Sequence, residues 1–256
     1  MQVTVLEVAD RLLAPEEPES SRLLAEVFAK DGIQVLTGAT IGSVSYAEGR
    51  FAVDVDGQVL HADRLLVAAG RRPNLADLGL EHVGLDPAAR TVEVDERMRA
   101  GDGLWAIGDI TGKGAFTHMS MYQAAVAVRD ILGRPGPAAS YHAVPRVTFT
   151  DPEVGSVGMT EQQARDAGLN VRVGVTDLAS STSFTSPSDL AIQPRVEDAD
   201  RGVLVGATSV GPAGGEVLSM LTTAVHAEVP TETLRSMIYA YPTFHRAVEA
   251  ALGELG

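Results

Sequence analysis

The stretch Arg64-Leu65-Leu66-Val67-Ala68-Ala69-Gly70 is apolar without alternation. A strand with one face in water alternates polar and apolar residues, whereas one that is apolar throughout is buried on both faces. That points to an α/β arrangement, with a sheet covered on both sides. Val3-Thr4-Val5-Leu6 also reads as a buried strand, and it ends on an acid, Glu7.

The rest of the first half fits the same class. Ala14 to Pro18 reads as a loop. A helix is expected from Glu19 to Lys30, with Leu23, Leu24, Val27 and Phe28 on one face and Gly32 as its stop. Strands follow at Gln34–Leu36, Ile41–Tyr46, Phe51–Val55 and Val59–His61, the last two joined by an Asp56-Gly57 hairpin signal. Leu104–Ile107 is a short strand before Gly108-Asp109, and His118 to Leu132 a helix stopped by Gly133. Arg134-Pro135-Gly136-Pro137 reads as a linker.

Beyond it the texture changes. Strands are expected at Arg146–Thr150, Val154–Gly158, Asn170–Thr176, Leu190–Glu197 and Gly202–Val210, the last two forming a hairpin through Asp198–Gly202. Thr160-Glu161-Gln162-Gln163 fits a capping box for a short helix to Ala167, stopped by Gly168. Val217, Leu221, Ala224 and Val225 line one face of a longer helix. Thr243 is expected to cap the final helix, with Ala247, Val248, Ala251 and Leu252 inward. Strands mixed with segregated helices suggest an α+β domain.

Composition excludes several functions. The 256 residues carry a formal net charge of −14, so nothing would neutralise nucleic-acid phosphates. The absence of cysteine rules out a disulfide, a thiolate metal site or a dithiol centre within this chain. The six His show no metal-ligand spacing, so no metal is expected. With no long apolar run and no signal peptide, a soluble cytoplasmic protein is the expectation.

Taken singly, the polar candidates are weak. An acid after a strand, as at Glu7, can bond the ribose diol of a dinucleotide, but it is also an ordinary solvated strand end. Gly108-Asp109 after a short strand can place a carboxylate at a sheet edge where nucleotides bind, or simply make a turn. Their order is far more specific. Val-Thr-Val-Leu-Glu, Ala-Ala-Gly-Arg-Arg-Pro-Asn, Ala-Ile-Gly-Asp and Thr-Asp-Pro-Glu-Val-Gly-Ser-Val-Gly-Met-Thr, in that sequence, closely resemble the pyridine nucleotide–disulfide oxidoreductases, from Met1 to about Leu252. That flavoprotein family includes dihydrolipoamide dehydrogenase, glutathione reductase and mercuric reductase.

The resemblance implies a partial Rossmann-type NAD-binding segment at 1–72, a segment returning to the FAD-binding domain at 73–140, and an α+β dimerisation domain at 141–256. It implies that Met1 matches an internal position of a longer polypeptide, that this chain alone binds FAD poorly and is inactive, and that the cofactors are FAD and NAD. Glu7 matches the acid that bonds the adenosine ribose and would repel the 2′-phosphate of NADP. Ile41 matches a backbone contact near the adenine, and Ala69 and Gly70 lie where the chain passes the nicotinamide. Gly108 and Asp109 match the turn that bonds the ribityl and phosphate region of FAD. Thr117 lies where backbone groups approach the flavin ring, with His118 and Met119 packed around that cavity.

At the C-terminus the family reads His-Pro-x-x-x-Glu, an acid–base pair serving the dithiol across a dimer interface. Here Tyr241 stands at the His position and Arg246 at the Glu position, with His245 between them at the surface. A phenol is a poor base at neutral pH, and a guanidinium cannot orient an imidazole as a carboxylate does. The implied function is therefore that of an oxidoreductase passing hydride from NADH through FAD to an unidentified small-molecule or protein acceptor, as a homodimer. A mercuric reductase-like or dihydrolipoamide dehydrogenase-like enzyme is one alternative. A non-catalytic dimerisation or nucleotide-binding module is another. The apolar face at Val217, Leu221 and Val225 is expected to contribute to the dimer contact.

Overall fold

The computed structural model describes residues 1–76, 78–176 and 195–255. In chain order the elements are β1 (Thr4–Leu6), α1 (Pro18–Lys30), β2 (Gln34–Leu36), β3 (Ile41–Ala47), β4 (Arg50–Val55), β5 (Gln58–Ala62), β6 (Arg99–Gly101), β7 (Leu104–Trp105), α2 (Thr117–Ile131), β8 (Pro145–Thr148), β9 (Glu153–Gly158), α3 (Glu161–Asp166), β10 (Val171–Gly174), β11 (Arg195–Asp198), β12 (Val203–Gly211), α4 (Gly214–His226), α5 (Thr231–Arg235) and α6 (His245–Gly253). Positions 190–194 of the strand expected at Leu190–Glu197 lie outside the described residues. The chain divides into two compact units, one of Met1–Leu65 with His142–Gly256, the other of Leu66–Tyr141.

In the first unit, β1 and β2 run parallel, with Thr4 opposite Gln34 and Leu6 opposite Leu36, and α1 is the crossover between them. The antiparallel meander β3-β4-β5 follows, turning at Asp56-Gly57 as the sequence predicts. Its apolar residues Val53 and Val55 pack with Ala39, Leu6, Leu60 and Leu65. The C-terminal part is a five-stranded sheet in the order β10-β11-β12-β9-β8, antiparallel at each junction assigned from β9 to β12 and between β8 and β9. Helix α4 lies on β9 and β12. Gly155 permits this approach, since a Cβ there would sit 2.8 Å from the Gly214 carbonyl oxygen.

Val217, Leu221, Ala224 and Val225 are buried in this intrachain core with Val157, Leu204, Leu252 and Leu255. Their apolar face is thus accounted for by the chain's own sheet and by α6, not by a second subunit. Ala247, Val248, Ala251 and Leu252 point inward as expected, all with no exposure. Helix α1 joins the C-terminal sheet through Leu23, which packs on Val154 and Val210. The capping box of α3 forms, with Thr160 and Gln163 satisfying each other's backbone amides. Thr243 does not cap α6. Its hydroxyl donates to the Ala240 carbonyl at 2.7 Å instead, and the helix begins one residue beyond the expected cap–helix spacing, after Phe244.

The Arg64–Gly70 stretch departs from expectation. No described strand pairs with it, and Leu66 and Val67 are 89% and 73% exposed. An apolar run becomes a two-faced buried strand only when neighbours flank it and layers cover it. The parallel sheet described here has just the two short strands β1 and β2, and it does not extend to this segment.

In the second unit, the hairpin β6-β7 packs on α2 through Met98, Trp105, Val126 and Ala127. A loop core of Leu75, Leu80, Val92 and Ala106 lies beside it. Among the described residues no helix is long and apolar enough to cross a membrane.

Candidate cofactor sites

The sequence candidates fall in both units, and each group stands by itself. In the first, Glu7 follows β1 at its carboxyl end and is half-buried. Its backbone amide continues the parallel ladder to Leu36 O at 2.9 Å, and its carbonyl accepts from Ala39 N at 3.0 Å. Its Oε1 accepts from Ala9 N at 2.8 Å. A carboxylate offers about four lone-pair sites, so this turn leaves acceptor capacity for a diol. Ile41 opens β3 two residues past Ala39 and is half-exposed. The Glu7 strand end and the entry to β3 are therefore neighbours.

In the second unit the sequence after β7 turns sharply at Gly108, whose φ of 83° and ψ of −158° lie in a region open essentially to glycine alone. A Cβ there would also sit 2.9 Å from Ser120 Oγ. Asp109 then begins a single 3₁₀ turn, Asp109–Thr111. Arg71 Nη1 donates to Asp109 Oδ2 at 3.0 Å and to Ala115 O at 3.4 Å. That one guanidinium brings together the Gly70–Asn74 segment, the Gly108-Asp109 turn and the approach to α2. Ala69 and Gly70 are exposed, Gly70 with φ of 115°. Thr117 and His118 are exposed in the first turn of α2, and Phe116 before them supplies no side-chain cap. The His118 ring stacks on Phe116, centroids 5.1 Å apart, while Met119 is buried. The opening amides of a helix have no partner within it, so this end presents donors and a positive dipole.

Tyr241 is 69% exposed, just before α6. His245, expected at the surface, is half-buried as the first residue of that helix. Arg246 pairs with Glu249 one turn on. Among the described residues no cluster of three His, Asp or Glu could hold a metal.

Sequence reasoning missed Gln123, Asp130 and Glu16. Gln123 has no exposure and bonds the Gly108 amide at 2.6 Å. Asp130 receives both Arg99 Nε and Nη2 at 2.6 Å and Trp105 Nε1 at 2.9 Å, clamping β6-β7 to α2. A signal for Gln123 was present: it interrupts the buried stripe Met119, Val126, Ala127 at helical spacing. A polar residue on such a stripe is there for a buried partner.

Residues 1–130 match the pyridine nucleotide-disulphide oxidoreductase family, and residues 144–252 match the pyridine nucleotide-disulphide oxidoreductase dimerisation domain. Dihydrolipoyl dehydrogenase of Geobacillus stearothermophilus is 34% identical over 266 residues, covering 100% of this chain and 56% of that protein. Its counterpart in Mycobacterium leprae is 35% identical over 259 residues, covering 97% and 55%. The chain thus spans about half the length of the curated relatives it matches. Among solved structures, HOCl-induced flavoprotein disulfide reductase RclA of Escherichia coli aligns with a TM-score of 0.82 at 27% identity, covering 98% of this chain and 58% of that one. LpdA of Mycobacterium tuberculosis aligns with a TM-score of 0.90 at 24% identity, covering 100% and 57%, a likeness of fold.

Proposed function

The chain belongs to the pyridine nucleotide–disulphide oxidoreductase family, and from that premise we propose that it forms the NAD-side, flavin-contacting and dimerising parts of an NADH-dependent flavoprotein reductase. Members of the family use FAD and NAD(H). Bound FAD would accept hydride from NADH and deliver the electrons to the acceptor.

The observation that carries the reading is the Gly108-Asp109 turn, held by Arg71 beside the uncapped start of α2. Its donor set fits a flavin. Asp109 keeps acceptor capacity beyond its Arg71 bond for ribityl hydroxyls, and the helix amides would stabilise negative charge near Thr117 and His118. Ala69 and Gly70, the two residues before Arg71, would line the nicotinamide side. Glu7 would accept from the adenosine ribose, with Ile41 beside the adenine. A carboxylate there repels a 2′-phosphate, which favours NADH.

The acceptor step differs from a dithiol mechanism. A phenol stands where the family has an imidazole, and Arg246 is engaged with Glu249. Tyr241 would bond an acceptor or pack at the dimer seam. The domain division at 72 and 140 belongs to this proposal. So does a homodimer formed through the C-terminal domain, which light scattering would report and a well-folded monomer would refute.

The test is the rate of flavin bleaching by NADH and by NADPH in the FAD-loaded enzyme. NADH should be preferred, and Glu7→Arg should narrow or reverse the preference by removing ribose bonds and adding a phosphate partner. A wild-type preference for NADPH would refute the assignment of Glu7.

A further inference from the structure

We propose that Gln123 is the positioning residue of the Gly108-Asp109 turn, fixing from within the fold the geometry in which Asp109 meets its ligand. The inference rests on the reading of Asp109 given above. Gln123 sits on the buried stripe of α2 and has no exposure. Its Oε1 accepts from Gly108 N at 2.6 Å. Its Nε2 donates to Thr111 Oγ1 at 3.0 Å and to Tyr141 OH at 3.2 Å. The orientation of the amide is settled by Gly108 N, which can only donate and so must face the oxygen.

The chain of bonds closes on itself. Thr111 Oγ1 accepts from Gln123 and donates to Gly108 O at 2.8 Å. Tyr141 OH accepts from Gln123 and donates to Met98 Sδ at 3.5 Å, and Met98 has no exposure. Gln123 thus fixes both backbone groups of Gly108, the amide directly and the carbonyl through Thr111.

The other bonds act further along the turn. Arg71 holds the Asp109 carboxylate, Val92 N donates to Ile110 O at 2.8 Å, and the 3₁₀ turn adds Thr111 N to Gly108 O at 3.0 Å and Gly112 N to Asp109 O at 3.1 Å, whereas the Gly108 amide itself is taken by Gln123. Glycine at 108 makes the geometry accessible without enforcing it. A neutral amide is the side chain that supplies one acceptor and two donors here. A carboxylate would supply acceptors alone, and a thioether neither in useful strength.

The test is amide hydrogen exchange on the full chain, resolved at Gly108 and along α2. Gln123→Met keeps the volume and removes the bonds. Exchange at Gly108 should rise about fivefold or more, the worth of one hydrogen bond, while Val126 and Ala127 stay within about twofold of wild type. Gln123→Glu, compared with wild type at acid pH where a protonated carboxyl offers an acceptor and one donor, keeps the bond from Gly108 N, and Gly108 should stay within about threefold. Unchanged exchange at Gly108 in Gln123→Met, or equal loss in both variants with α2 intact, would overturn the proposal. Should Gln123→Met also lose α2 protection, Gln123→Glu decides alone: retained protection at Gly108 supports the proposal, and loss there overturns it. The flavin reading is separated by titrating FAD against Asp109→Asn in the FAD-binding enzyme rather than in this chain alone. If exchange behaves as expected and Asp109→Asn binds FAD as wild type does, the assignment of Asp109 fails while the positioning by Gln123 stands.

Discussion

Arg146→Met should unfasten the N-terminal βαβ segment from the C-terminal sheet. Arg146 on β8 donates from Nε and Nη2 to the two carboxylate oxygens of Glu16, both at 2.9 Å, and from Nη1 to Gly158 O at 3.3 Å. The side chains are 10% exposed for Glu16 and 24% for Arg146. Burial pushes the Glu16 carboxyl up, but the Arg146 hydrogen bonds and charge outweigh it and hold the group below its ordinary value. Removing one partner of a buried pair costs about 3–5 kcal/mol, and the partial exposure of Arg146 places this pair at roughly 3 kcal/mol. With a urea slope of about 2–3 kcal/mol/M, the midpoint should fall by roughly 1 M. The pH dependence identifies the cause. In wild type Glu16 is lowered, so its contribution is present above the unfolded carboxyl value and is lost as pH falls through the lower folded one. In Arg146→Met, burial acts unopposed by Arg146 and the folded value rises, so ionisation opposes folding at neutral pH and protonation relieves it. The deficit should be largest at neutral pH and shrink as pH falls through the ordinary carboxylate range. Urea titrations at a series of pH values measure this. A deficit independent of pH, or one below about 0.5 kcal/mol, would refute the reasoning, since the second value is what an ordinary surface substitution costs.

Two further outcomes concern the proposed flavin side and the acceptor side. Gly108→Ala should destabilise the protein by about 1–3 kcal/mol through its backbone conformation, beyond the contact with Ser120 Oγ. Adding Ser120→Ala should recover the contact term and leave the backbone term, as read from urea midpoints; full recovery would show that the conformation costs nothing. Tyr241→Phe in the FAD-loaded enzyme should lower NADH-driven reduction of a quinone or dye by less than about tenfold, since one hydrogen bond is worth roughly 1 kcal/mol. A loss of about a thousandfold on a disulfide substrate, with a shifted pH profile, would instead make Tyr241 an essential acid–base group.

What was legible in the sequence is what local chemistry decides. The Asp56-Gly57 turn, the Thr160 capping box and the inward stripe Ala247, Val248, Ala251 and Leu252 each follow from a few adjacent residues, and each is found. The misses share a different cause. Periodicity reports that a face is apolar, not what covers it. It could not tell that Val217, Leu221 and Val225 are covered by the chain's own sheet. Nor could it tell that Leu66 and Val67 find no described strand beside them. Thr243 has the right chemistry for a cap, but the Ala240 carbonyl takes its hydroxyl first.

The polar interior was illegible for a related reason. Glu16 and Arg146 lie 130 positions apart, and Gln123 and Gly108 lie 15 apart across a loop, so no periodicity along the chain pairs them. A buried polar side chain is costly unless its partner is in place, and that partner can be any backbone amide the fold brings near. Sequence can mark the anomaly without solving it. Gln123 breaks an apolar stripe, and Glu16 and Glu17 form an acidic pair that their partners render unlike: burial pushes both up, but Arg146 outweighs it at Glu16 and draws that group down, while at Glu17 burial prevails over a bond from the Glu161 amide. The motif residues Gly108 and Asp109 are recognisable because their chemistry faces a ligand. The residues that hold them in place are recognisable by where they break the pattern around them. Positions of the second kind are therefore the ones to mutate when the question is how this turn keeps its shape.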